Sequence, residues 1–471
     1  MSRKEKTDKK NLVVEGTLDA VKIGFGETYL SAFGIFLGGT PFQVGVLSTL
    51  PSLVGAVFQP LGMQLAERVA SRRDFIAHLI RAQGLLWVPI ACLPFMIGRG
   101  AGAVTLLLAL VVLYQLTVGS LSPLWNSLVG DVIPPATRGA FFGYRNRWIA
   151  VASFIGVVSA GFCVHQGRIG GLEALAFTVI FIVAGVSRFI SARYVARVSD
   201  PTLTVPEDSK FTFWQFIRRT RRSNFVKFVL FVSCMNFSAS VSGPYFAMYM
   251  LRDLHLSYLE YTGIICMAVV AQFVVMRSWG SLTDHFGNRR ILSLCAWFVA
   301  FNPLFWLISS NYLFILVAQF YSGFFWSGFN LAAANFVFDA VSPEKRARCI
   351  AYQGIINGVL VFLGALVGGA LCTHINPYWG MELGVWTPPS VFAGVFLASG
   401  LLRLTTVITL LGRFKEVRPV VGIKGHQLLI RVVSIRPFWG ATFSFVSGRY
   451  SAFSGSARRL MKRGYSDDGG T

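Results

Sequence analysis

Stretches of about twenty apolar residues with few charges recur along the whole chain, and that is the length an α-helix needs to cross ~30 Å of hydrocarbon. Charged residues make up only 14% of the sequence and mean hydropathy is +0.59. A soluble domain carries about 25% charged residues, so this chain lacks the polar surface to be one. Its 471 residues leave room for about twelve spans joined by short loops. The spans are expected to start near residues 17, 43, 75, 103, 141 and 172, then 224, 258, 290, 311, 347 and 387. The longest polar stretch between spans, Ser199 to Arg222, divides the chain. The expected fold is an all-α polytopic membrane protein in two parallel six-helix bundles. Its segments are a tail over 1–16, a first bundle over 17–198, a central loop over 199–222, a second bundle over 223–413 and a basic tail over 414–471.

The formal charge of +22 raises the question of an acidic partner or nucleic acid. The basic residues sit between spans and in the tails, while the aromatic residues belong to the spans, so no nucleic-acid partner is expected. Lys and Arg instead set orientation. One side receives Lys9 and Lys10, Arg72 and Arg73, Arg138 and Arg145, Arg218 to Arg222, Arg289 and Arg290, Lys345 and Arg346, and the C-terminal tail. The other receives Arg99, Arg168 and Arg252. This alternation predicts an even number of spans with both termini in the cytoplasm. The first sixteen residues have no apolar core and no cleavage pattern, so the first span is expected to act as an uncleaved insertion signal. The seven cysteines are scattered without a CxxC pair, and the histidines share no ligand spacing, so neither disulfides nor a metal are expected.

Two loops recur in the second half. Asp131, Pro135, Arg138 and Tyr144 line up with Asp339, Pro343, Arg346 and Tyr352. Leu65 to Arg73 lines up with Leu282 to Arg290. Both pairs fall on the same side, so the halves share one orientation, a recognised layout of secondary transporters. The run Gly280-Ser-Leu-Thr-Asp284-His-Phe-Gly287-Asn-Arg289-Arg290 resembles the loop signature of the major facilitator superfamily. In that family the signature lies between helices 2 and 3 and again between 8 and 9. The resemblance covers residues 17–413 by span count and repeat. His285 departs from it, as do Glu67 and Ala70 in the first copy. No proline lies between Trp148 and His165, so the helix-5 signature of many drug–proton antiporters is absent. The resemblance implies a gating loop at Gly280, Asp284, Gly287, Arg289 and Arg290. Asp284 would act as a cytoplasmic latch, with Arg346 or Arg348 as partner; loop capping is the plainer alternative.

Glu27 is the most informative single residue. Ten residues into the first expected span, it lies ~15 Å deep, where a carboxylate must face a cavity, be protonated or be paired. It is a candidate proton-coupling or cation site, or a structural partner of Lys22. Helices that line the cavity in this superfamily carry the other candidates. These are Trp125 and Asn126 on the fourth span, Asn236 on the seventh, and Trp326 and Asn330 on the tenth. Gln115, Ser240, Tyr245 and Asn335 accompany them. Amides and indoles suit a small polar or amphipathic solute, and they equally serve as interhelical hydrogen bonds. Arg81, Arg277 and Arg403 lie close enough to the cytoplasm to snorkel. Gly364 and Gly368 have packing spacing, and Pro244 is placed to kink the seventh span.

The expected function is secondary transport of a small solute by alternating access, with the proton as the simplest coupling ion. A receptor or assembly factor on the same fold is the alternative. No cofactor, enzyme activity, metal or obligate protein partner is expected; the partners are the lipid bilayer and the solute. The expected location is a bacterial inner (plasma) membrane. The tail beyond Arg413 reads equally as a segment lying on the anionic leaflet or as a basic tail.

Overall fold

The computed structural model describes residues 3–68, 71–200, 223–341, 343–375 and 390–417, which are helical with no strand among them. In the first bundle α1 runs Arg3–Phe25 and resumes after a break as a turn, Glu27–Tyr29, and a short helix, Leu30–Phe36. It is followed by α2 (Pro41–Arg68), α3 (Arg72–Met96), α4 (Ala101–Val132), α5 (Pro135–Ile169) and α6 (Glu173–Val195). The second bundle holds α7 (Asn224–Ser242), α8 (Tyr258–Phe286), α9 (Asn288–Phe305), α10 (Tyr312–Ala340), α11 (Pro343–His374) and α12 (Val391–Leu410). Ten of these are long and apolar enough to cross a membrane. The other two are α1, which is heavily charged, and α9, which has only 18 residues and opens on Asn-Arg-Arg.

Helix α1 begins at Arg3, so residues expected as a tail are helical, and Leu12 and Glu15 are already buried. Its charges lower the apparent hydropathy, but Glu15, Asp19 and Lys22 are paired inside the bundle. Residues 201–222 and 418–471 lie outside the described residues. The "near face" below is the membrane face at which α1 begins.

The halves repeat more closely than the loops alone suggest. At the near face Asp8 on α1 accepts the backbone N–H of Ser199, just past α6, at 3.1 Å. Asn224 on α7 accepts that of Lys415, just past α12, at 2.7 Å. The next residue in each case, Asp200 or Glu416, accepts the N–H of Arg73 or Arg289 in the first turn of α3 or α9. A carboxylate there meets the positive end of the helix dipole and satisfies an orphan donor. All four pairs share one offset, which equates Arg72 with Asn288 and Arg73 with Arg289. That corrects the loop alignment by one residue. Arg72 and Asn288 both reach the acid that ends the following hairpin, Asp131 (2.7 Å) and Asp339 (2.6 Å). Pro135 and Pro343 open α5 and α11, where a missing N–H costs nothing.

Helices α1 and α7 are interrupted at equivalent depth. In α1 the break is Gly26, pressed so closely on the Trp87 ring that a Cβ would collide with it. In α7 it is Gly243-Pro244, after which the chain resumes as Tyr245–Met248 and a π turn, Tyr249–Asp253. The kink expected at Pro244 is therefore a full interruption.

In the half distant from the near face, one apolar core draws on both bundles. Tyr29, Phe33, Trp87 and Phe177 share it with Tyr245, Tyr249, Trp306 and Phe392. Helices α2 and α11 touch at Phe42 and Gly369 and again at Leu53 and Gly358, and α5 meets α8 at Gly161 and Thr262. Among the described residues, Tyr29 bonds Thr262 (2.7 Å) and Tyr258 bonds Glu173 (2.6 Å) across the bundles here. The near half of the first bundle has its own core of Leu12, Ile76, Ile80, Leu124 and Leu128.

Candidate functional site

The membrane-embedded carboxylates among the described residues all lie on the first helix. With α1 helical from Arg3, Glu15, Asp19 and Lys22 fall at i, i+4 and i+7 on one face. Arg188 of α6 meets Asp19 at 2.9 Å and Glu15 at 3.9 Å, and its other nitrogens donate to the Gln83 side-chain oxygen on α3. Arg145 of α5 pairs with Glu15 at 3.2 Å while its guanidinium lies over the Trp125 ring, and the indole N–H donates to the same carboxylate. Lys22 lies between two acids, 3.2 Å from Asp19 and 2.8 Å from Glu27. The Tyr114 hydroxyl, on the middle of α4, donates to Glu27 at 2.6 Å and accepts from Lys22 at 2.9 Å.

Three acids and three cations thus balance. Glu15, Lys22 and Arg188 are almost fully buried, at 5%, 5% and 2% side-chain exposure, whereas Asp19 and Glu27 stay about a third open, at 32% and 29%. Full burial of a charge is tolerable only when it is paired and hydrogen-bonded. The arrangement can hold Lys22 between two accessible carboxylates, and protonating either one would release it toward the other.

Among the sequence candidates, Glu27 and Trp125 belong to this network; Glu27 sits beyond the α1 break, as the partner of Lys22. Asn126 and Asn330 are exposed and make no hydrogen bond among the described residues. Asn236 donates to Asn357 of α11 at 2.7 Å, bridging two helices of the second bundle. Trp326 rests edge-on against Phe329. Tyr245 is buried, donating to the Ala365 carbonyl. The structure does not gather the second-bundle candidates with Glu27. In the gating loop Gly287 takes φ +88°, which explains the glycine, while Gly280 has open space around it. Asp284 is exposed and has no partner among the described residues; the side chains of Arg346, Arg348 and Arg277 lie outside them. Arg289 acts through its backbone N–H to Glu416 and lies over Phe414. Arg290 is half-buried.

Asp19, Glu15, Arg188, Gln83 and Tyr114 escaped the sequence reading. A first span begun at residue 17 left Glu15 outside and hid the i, i+4, i+7 pattern. Arg188 is one cation in an apolar run, and its partners lie far away in sequence. Arg403 of α12 is its counterpart, each lying three residues after a glycine, Gly185 or Gly400. Arg403 does not snorkel: it is 2% exposed and bonds the Val299 carbonyl (3.0 Å) and Ser242 (3.1 Å), with no carboxylate among its described partners.

A search of known proteins bears on this architecture. Among solved structures, the nucleoside transporter NupG superposes with a TM-score of 0.67 at 14% identity, over 86% of this chain and all of that one. A bacterial homolog of the human lysosomal transporter Spinster, inward-facing and occupied, gives 0.61 at 13% identity over 94% of this chain and all of that one. Among curated proteins, an "MFS-type transporter" of Aspergillus terreus is 27% identical over 179 residues, 38% of this chain and 30% of that protein. Another, ppz2 of Metarhizium majus, is 28% identical over 148 residues, 31% of this chain and 24% of that protein. The chain thus aligns with about a third or less of the curated relatives' length. The Major Facilitator Superfamily model matches residues 23–239 and 226–469, essentially from the α1 break onward. With twelve long helices among its described residues, in two repeated bundles, this integral membrane protein belongs to the Major Facilitator Superfamily of transporters.

Proposed function

We propose that the chain is a secondary transporter of a small solute, driven by protons that bind the Asp19–Lys22–Glu27 group. The observation that carries this reading is one buried lysine held within 3.2 Å of two part-exposed carboxylates beside a break in α1. Interrupted helices facing each other across the repeats are where secondary transporters bind solute and coupling ion. A proton arriving on Asp19 or Glu27 removes one of the two acids that hold Lys22. The residual imbalance moves the ammonium and, with it, the chain segment after Gly26.

The transport cycle is alternating access, with the two bundles rocking about the region between them. The far-half contacts of Tyr29, Thr262, Glu173 and Tyr258 are the ones that must part when the near face closes. The face at which α1 begins and α12 ends is the cytoplasmic one in this reading, since the loops between spans on that side carry most of the Lys and Arg.

The test is reconstitution into vesicles with a pH-sensitive dye inside, challenged with a panel of small metabolites and drugs under an imposed proton gradient. Wild-type protein is expected to show solute-dependent proton flux, and Asp19→Asn or Glu27→Gln to uncouple it, leaving solute exchange intact. Solute-driven flux that survives in both variants would remove the network from coupling. No flux with any solute would move the chain to the non-transporting alternative.

A further inference from the structure

A groove of about 730 Å³ runs between α1 and α5 at the near face, on the side of α1 away from Glu15 and Asp19. Its walls are Val13, Val14, Leu18, Phe141, Tyr144 and Trp148, and its rim carries Lys9 and Lys10. The rim is built: the Lys9 ammonium is fixed by Glu5 at 2.8 Å and donates to Thr137 of α5 at 3.0 Å. Lys10 is exposed and has no ion pair or hydrogen bond among the described residues. Tyr144 and Trp148 stand edge to face, 6.3 Å between ring centres, and are 57% and 45% exposed.

Depth identifies the occupant. The sequence places the start of the fifth apolar span near residue 141, so Thr137 and the lysine bonded to it lie at the level of the lipid headgroups. Tyr144 and Trp148 lie three and seven residues further in, ~5 and ~10 Å below that boundary at 1.5 Å per residue. Paired interfacial aromatics under a cationic rim, with an apolar wall continuing inward, match a molecule with an anionic head and an apolar body descending into the membrane. The one such molecule present along the whole near face is a phospholipid of that leaflet. We propose that this groove binds an anionic phospholipid, its phosphate held between Lys9 and Lys10 and its first acyl segment laid along Val14, Leu18, Phe141 and Trp148. The bound lipid would brace α1 against α5 on the outer side of the helix whose inner side carries Glu15, Asp19 and Lys22.

Native mass spectrometry of the protein extracted from bilayers of equal phosphatidylglycerol and phosphatidylcholine tests this. Wild-type protein is expected to keep phosphatidylglycerol preferentially, and Lys10→Gln to cut that preference about fivefold, the worth of one lysine beside an anionic surface. Lys9→Gln with Lys10→Gln should abolish the preference while phosphatidylcholine retention stays level, which also shows that the variant is folded. Trp148→Ala should lower retention of both lipids. Equal retention of the two lipids by wild-type protein, or an unchanged preference in the double variant, overturns the proposal. So does displacement of the lipid by glycerol 3-phosphate alone, which would mark a soluble phosphate site. The assay needs no transport, so it stands apart from the proton-coupling experiment.

Discussion

Arg188 and Arg403 occupy corresponding places on the last helix of each bundle and are equally buried, yet they live in opposite electrostatic settings. Arg188 is bound to two carboxylates, so removing it leaves three acids to two cations, with buried Glu15 held by Arg145 alone and Asp19 by Lys22 alone. Arg188→Met is expected to lower stability by about 3–5 kcal/mol, the cost of breaking a buried pair from one side. Adding Asp19→Asn should restore part of that loss in a thermal melt of the purified protein. Arg403 donates to the Val299 carbonyl, whose helical donor is missing because residue 303 is proline, and to the Ser242 hydroxyl; it leaves no orphan charge behind. Arg403→Met is expected to cost about 1–2 kcal/mol, less than Arg188→Met, because it strands one buried carbonyl but no charge. A melt showing equal losses for both arginines would contradict this contrast. The sequence displayed both residues without distinguishing them. What separates them is whether a carboxylate waits on the first or seventh helix, a fact carried by residues more than 150 positions away.

Among the elements, the near-face clasps give each bundle its frame. Asp200 and Glu416 each cap the helix that opens the second hairpin, so Asp200→Ala and Glu416→Ala should each cost ~1 kcal/mol in chemical or thermal denaturation. An effect on one side only would mean that the second clasp is redundant. Close helix contact is the other device. Gly364 and Gly368 of α11 lie against the backbone carbonyls of Phe237 and Val241 on α7, where an added Cβ has no room. Gly364→Ala is expected to destabilise by about 1–3 kcal/mol through overpacking. Their spacing was readable from sequence, as were eleven of the twelve span positions and the recurrence of Pro135 as Pro343, though not that these prolines open helices. The start of α1 was not, since hydropathy scores a charge by its own cost and takes no account of its partner. Asp200 and Glu416 were missed for a related reason: they lie just past the spans, where a lone acid looks like loop.

Across the whole molecule, the two bundles are unequal copies. The first holds the charged network; among the described residues of the second, acids appear only at helix ends, and apart from Arg403 its transmembrane contacts are hydroxyls, amides and stacked rings. The joint between them is concentrated in the far half. A disulfide from Phe42→Cys to Gly369→Cys, made in a background lacking the seven native cysteines, should therefore form readily and arrest transport, with reductant restoring it. Transport at the wild-type rate with the bond closed would exclude rocking at that seam. The charged first helix also has a consequence for the birth of the protein. Lys22, Glu15 and Asp19 leave the ribosome well before Tyr114, Arg145 and Arg188 exist. At about 5–20 residues per second, the interval from Asp19 to Arg188 is roughly 8–34 s. For that time the segment is too polar to settle alone in lipid, so it must wait at the membrane surface or be sheltered by the insertion machinery. Its final seat opens only when the sixth helix arrives, so the first helix made is among the last to be installed.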